Sequence, residues 1–208
     1  EKELLEETKL KIFLDKIIAF VWGFSFTNPG VNALRTPVYD EMVNIVNGGE
    51  VKFSKYKFNN TQARTSFENY VFTNQRNATR SIITWYAYTF SEQALLGLNE
   101  SFHLEHIYPK KRQEMERGLK TEENIELLGN KILLESVINI KASDYRFEDK
   151  RKIYSGVQRR GNYKEPSKIA EIAKLTTYNE FGEQQIIERN REILDKFFDF
   201  LNDEELIA

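Results

Sequence analysis

The chain has 208 residues, 40% of them hydrophobic and 13% aromatic, with a formal net charge of -2 and no cysteine. That composition argues against a disordered chain and supports a full core, as one large domain or two intimately packed ones. The absence of thiols excludes a disulfide framework and a thiolate zinc centre and fits a reducing, cytoplasmic setting.

No apolar run approaches the roughly 20 residues that span a bilayer, so no membrane association is expected. The acidic start, Glu1-Lys2-Glu3-Leu4-Leu5-Glu6-Glu7, is unlike a signal peptide. This start also lacks an initiator Met, as a fragment or a processed chain would. Leu4, Leu5, Leu10, Ile12, Phe13, Leu14, Ile17, Ile18, Phe20 and Val21 repeat with helical period and predict a buried first helix ending near Gly23 and the Asn28-Pro29-Gly30 turn. Pro37 opens a second helix through Val46, stopped by Asn47-Gly48-Gly49. Residues 51–58 keep no clean two-residue alternation and give little support to a strand. Asn60-Thr61 caps a helix to about Phe72, and Asn77 one from Ala78 to about Leu96. In the latter, Ile82, Ile83, Trp85, Tyr86, Tyr88 and Phe90 are expected mostly in the core.

Phe102 to Tyr108 alternates as a short strand does, and Pro109 ends it. A loop or short helix spans about 110 to 121. Leu127 to Leu134 is apolar around Gly129-Asn130 and predicts a turn feeding a second strand, after which Ser136 caps a helix with Asn139 in its first turn. Phe147, Lys150 and Tyr154 lie on a further short helix, and Pro166 to Leu175 forms another. The last helix runs from about Glu183 to Leu201. Ile186, Ile187, Ile193, Leu194, Phe197, Phe198 and Leu201 face its core, and Glu188, Arg189, Arg191 and Glu192 face water or a ligand. The fold class is therefore mainly α with a small embedded ββα element. Residues 1–100 form a helical N-terminal part, 101–155 the ββα segment, and 156–208 C-terminal helices packing on the same domain.

Charge is unevenly placed. Residues 101–168 hold 15 Lys or Arg against 11 Asp or Glu, a local excess inside an acidic chain. Lys110-Lys111-Arg112, Lys150-Arg151-Lys152 and Arg159-Arg160 are the densest clusters and candidate contacts to a phosphate backbone, or solvated helix faces. Arg76 and Arg80 have the same two readings.

Both histidines of the chain, His103 and His106, fall within four positions beside Glu105 and ahead of Pro109. Phosphodiester hydrolysis needs a base to activate water and a Lewis acid to neutralise charge at the scissile phosphate. His106 is the natural base near neutral pH once a neighbour fixes its tautomer, and Asn130 is a candidate for that neighbour. Glu105 and Asn139 offer oxygen ligands suited to Mg2+ or Mn2+. Adjacent strand residues face opposite ways, so joint use of Glu105 and His106 requires a bulge or twist at the strand end. His103 shares the Glu105 side and is either a third ligand or a plain strand residue.

Glu105-His106-x-x-Pro109, Gly129-Asn130 and Asn139 resemble the His-Me finger, or HNH, nuclease superfamily. Within it the pattern is most similar to the C-terminal nuclease domain of GmrSD-type modification-dependent restriction enzymes, including a Phe147-x-x-Lys150-x-x-x-Tyr154 element. The resemblance implies metal-dependent cleavage of foreign DNA at a ββα-metal site. His106 would be the base, Glu105 and Asn139 the metal ligands, and Asn130 the residue orienting the base. Lys150 would contact phosphate or stabilise charge in the transition state. This chain departs from the pattern at Lys131, where Leu commonly follows Gly-Asn, and in having Asn rather than His as last ligand. The family's nucleotide-dependent sensor does not fit in the hundred residues before the motif and would lie upstream or in another polypeptide. Two other functions stay open: a non-catalytic protein-interaction or DNA-binding module, and a nuclease of the same fold directed at RNA.

Overall fold

The computed structural model describes residues 7–28, 30, 32–157 and 164–208. The expected roles of Leu4 and Leu5, of Pro29 and of the Arg159-Arg160 cluster lie outside the described residues. Two compact units are present, one made of the chain up to Tyr70 together with Leu194–Ala208, the other of Val71–Ile193.

In the first unit, α1 (Glu7–Thr27) runs past Gly23. Ala19, Phe20, Gly23 and Phe26 are buried, whereas Leu10, Leu14 and Ile18 are exposed and Ile12 is 60% exposed. The expectation of a wholly buried first helix is thus corrected, because the unit's aromatic core reaches only its C-terminal half. There Phe20 stacks on Phe53 at 3.6 Å between ring centroids, and Phe26 meets Phe67 and Phe197 edge-on. The second helix, α2 (Arg35–Val46), carries Pro37 in its first turn, where a missing N–H costs nothing. In α3 (Asn60–Glu68) the cap is Asn59, one residue earlier than expected, whose Oδ1 accepts from the Gln62 N–H at 3.0 Å. Phe58 makes an isolated parallel bridge with Ile207.

The second unit begins with α4 (Asn77–Ala87), which stops nine residues short of the expected end. The Thr89 N–H and hydroxyl both donate to the Tyr86 carbonyl, at 3.0 and 2.8 Å, tightening the last turn and ending the helix. Strands β1 (Phe102–His106) and β2 (Lys131–Glu135) form an antiparallel two-stranded sheet in which Glu105 opposes Ile132 and His106 opposes Lys131. Between them lie α5 (Lys110–Glu116) and two 3-10 turns, Glu122–Glu126 and Leu128–Asn130.

Helix α6 (Ser136–Ala142) follows β2 without a loop and packs on both strands. Ser136 is its first residue rather than its cap, with its hydroxyl donating to the Ser101 carbonyl at 2.7 Å. Then come α7 (Phe147–Tyr154), α8 (Glu171–Leu175) and α9 (Glu183–Asp203). Helix α8 starts later than expected because Ser167 and the Lys168 N–H are bonded to the Glu135 carboxylate. The fold is mainly helical with one small sheet. Among the described residues no helix is long and apolar enough to cross a membrane.

Candidate functional site

Alternation along β1 sends Glu105 to one face of the ribbon and His106 to the other, and their contacts agree. Of the bulge or twist that joint use of the two requires, the bulge is absent: register advances one residue at a time from Phe102 to His106, and the ladder continues through the Ile107 N–H to the Asn130 carbonyl at 2.9 Å.

On the first face Glu105 is 7% exposed, and its Oε1 accepts from Lys150 Nζ and from the Tyr154 hydroxyl at 3.2 Å. Lys150 is wholly buried and also donates to the His106 carbonyl at 2.7 Å. Burial pushes the Glu105 carboxyl up and the Lys150 ammonium down, each partly drawn back by the other's charge. Helix α7 supplies both partners because residues 150 and 154 share a helix face. Lys150 is therefore spent on Glu105 and does not present its charge to solvent. On α6, Asn139 lies beside His103, with Nδ2 3.3 Å from the ring Nδ1. Asn139 Oδ1 is buried and has no hydrogen-bond partner among the described residues.

On the second face His106 Nε2 lies 2.9 Å from Lys131 Nζ. Lys131 is 0% exposed and also donates to Asn74 Oδ1 at 2.9 Å and to Glu126 Oε2 at 2.7 Å. Asn74 Nδ2 donates to the Leu104 carbonyl at 2.9 Å and stands 3.5 Å from His106 Nδ1. Burial pushes His106 below its ordinary value, with Glu126 opposing and Lys131 reinforcing. Burial likewise pushes Lys131 down to about 8 against the pull of Glu126. Burial alone would raise Glu126, but its contacts with His106, Lys110 and Lys131 outweigh it and hold the carboxyl well below the usual carboxylate range. Asn74 and Glu126 carry no motif, and only the fold brings them to the histidine.

Asn130 does not touch His106. Its Oδ1 accepts from the Tyr108 N–H at 2.7 Å, and its Nδ2 donates to the Tyr108 and Ile125 carbonyls at 3.0 Å each, bracing the strand exit. The turn before it is clamped by α9. Arg189, expected at the surface, is buried: Nε and Nη2 donate to the two Glu171 oxygens at 2.6 and 2.9 Å, and Nη1 donates to the Leu128 and Gly129 carbonyls at 2.9 Å. A Cβ at Gly129 would fall 1.9 Å from the Ile186 carbonyl oxygen, so only glycine fits. Ile187, expected in the core, is exposed.

The basic clusters already have partners. Lys110 pairs with Glu126 and Lys111 with Asp144. Arg112 donates to the Asp144 carbonyl and pairs with Glu116. Arg151 donates to the Tyr178 carbonyl, and Lys152 pairs with Glu148. Arg80 donates to the Phe102 carbonyl at 2.8 Å, which places it in the strand's framework.

These features define a helical domain built on a buried two-stranded ribbon, with an acid and a histidine at the end of the first strand. Residues 55–196 match the family described as GmrSD restriction endonucleases, C-terminal domain, and the chain belongs to that family. The family is one of nucleases, and a restriction endonuclease domain implies DNA as substrate. No curated protein and no solved structure matches the chain.

Proposed function

We propose that the chain is a metal-dependent DNA endonuclease domain of His-Me finger, or HNH, type, acting in a restriction or defence system and licensed by a nucleotide-dependent sensor outside these residues. Family membership supports the nuclease. The observation that carries the metal is Asn139 Oδ1, a buried oxygen without a partner on the helix that follows the ribbon directly. Hard divalent cations take such oxygens.

Among the described residues no group of three or more His, Cys, Asp or Glu stands ready to hold a metal ion. The donor set present fits an ion that keeps most of its shell as water and phosphate oxygen, as Mg2+ or Mn2+ does. Glu105 and Asn139 would hold it. Both bonds to Glu105 fall on Oε1 and leave Oε2 outside them. The ion when bound neutralises charge building on the scissile phosphate and the leaving oxygen. His106, kept neutral by burial, takes the proton of the attacking water, a role that requires the strand end to twist on binding, because its ring and the Glu105 carboxylate lie on opposite faces of the ribbon. Lys150 acts through Glu105, and Asn130 through the backbone at the strand exit. Lys110, Lys111, Arg112, Arg151 and Lys152 are the proposed backbone contacts, each trading its present partner for a phosphate oxygen.

The test is plasmid cleavage with Mg2+, Mn2+ or EDTA, with His106→Ala and Asn139→Ala alongside. Metal-dependent nicking or linearisation is expected, falling roughly 100- to 10,000-fold in His106→Ala, the range typical of a lost general base. Asn139→Ala should weaken metal binding more than DNA binding. No cleavage of plain or modified plasmid, together with no metal binding by calorimetry, would sink the reading.

A further inference from the structure

His106 has one nitrogen within hydrogen-bonding reach of a cation. Lys131 Nζ, 2.9 Å from Nε2, is also anchored by Asn74 Oδ1 and Glu126 Oε2. An ammonium has three N–H donors and no lone pair, so its three neighbours must all act as acceptors. Nε2 therefore offers its lone pair, and the proton of a neutral ring sits on Nδ1. The opposite tautomer would aim Nε2–H at an ammonium. It would gain in exchange only two long contacts, 3.5 Å between Nδ1 and the Asn74 amide and 3.6 Å between Nε2 and Glu126 Oε2, the second beyond hydrogen-bonding distance. The orientation of Asn74 is fixed independently, since Oδ1 must accept from Lys131 and Nδ2 must donate to the Leu104 carbonyl. Lys131 is fully buried, and Glu126, which is itself bound by Lys110, holds it in place.

We propose that Lys131 is a positioning residue that latches His106, holding the resting ring with its proton on Nδ1 and its Nε2 lone pair occupied. Neither nitrogen can then accept a proton, and the ring becomes a base only when the ammonium withdraws from Nε2. This rests on the reading of His106 as the base, and its sign is inhibitory. The latch sits on the ribbon face opposite Glu105, so releasing it does not disturb the Glu105–Lys150 pair.

The chain has two histidines, which makes the tautomer directly readable. In chain labelled with 15N-histidine, and with His103→Gln used for assignment, two-bond nitrogen–proton correlations at neutral pH should report a protonated Nδ1 and a bare Nε2 at His106. Lys131→Met should move the proton to Nε2 in part or in full, and Lys131→Arg, which keeps the donor, should retain the wild-type pattern. Plasmid cleavage with Mg2+ by Lys131→Met should rise roughly tenfold or more, the factor set by a hydrogen bond to a charged group.

A wild-type ring already protonated at Nε2 overturns the proposal without any variant, as does an unchanged tautomer in a folded Lys131→Met. A changed tautomer with slower cleavage overturns the inhibitory sign. If the tautomer changes while neither protein cuts DNA or binds metal, the positioning role stands and the nuclease reading fails.

Discussion

The two faces of the β1–β2 ribbon solve the same problem in opposite ways. Each buries a polar group proposed for chemistry against a lysine with no solvent exposure. On the Glu105 face the lysine arrives from α7, charge cancels one for one, and Tyr154 completes the set. On the His106 face the lysine is the cross-strand neighbour, its first partner is a neutral ring, and its charge is balanced only through Glu126, which Lys110 shares. A self-sufficient pair makes a rigid site, whereas a charge that shares its carboxylate with a half-exposed surface lysine makes one that can be displaced.

That contrast can be broken most severely at Lys150. Lys150→Ala leaves Glu105 buried without a counter-charge and should cost about 3–5 kcal/mol in denaturant unfolding, with much of the loss recovered in the Glu105→Gln, Lys150→Met double variant. A small single-variant loss would mean that Glu105 is already neutral. Lys131→Met should cost less, about 1–3 kcal/mol, because Glu126 keeps Lys110 while His106 and Asn74 each lose a donor.

Acid and base should separate the two carboxylates and the two lysines. Lys131 titrates near 8 when folded and 10.5 when free, so between those values the unfolded chain binds the proton that the native one has released. Stability contributed by this lysine therefore rises with pH across that window, and Lys131→Met should flatten the rise in melting temperature. Glu126 has the same sense in a more acidic window. Its folded value lies below 4.5, so the stability it supplies is present above that pH and is lost as pH falls further. Glu126→Gln should flatten the acid limb. The smallest effect belongs to Lys152→Ala, which removes an exposed pair with Glu148 and should leave the denaturant midpoint unchanged.

The sequence revealed where the ribbon lies, because alternation from Phe102 and the stop at Pro109 are local signals. It also placed Asn139 on the helix after β2. What it could not reveal was partnership across long stretches of chain. Asn74 reaches a histidine 32 residues away, and Arg189 reaches turn carbonyls 60 and 61 residues away. Arg189 was expected at the surface because a charged residue beside Glu188 and Arg191 looks solvated until Glu171 is seen opposite it. The two-residue period did warn that Glu105 and His106 diverge, and the regular register upholds that warning against the bulge once assumed.

Asn130 changes how any mutational scan of this domain should be interpreted. Its side chain holds both backbone groups of Tyr108 and the Ile125 carbonyl, at the point where β1 leaves the ribbon. An inactive Asn130→Ala protein would thus report a loosened scaffold before it reported lost chemistry. Only variants at this position that melt like wild type can speak to mechanism.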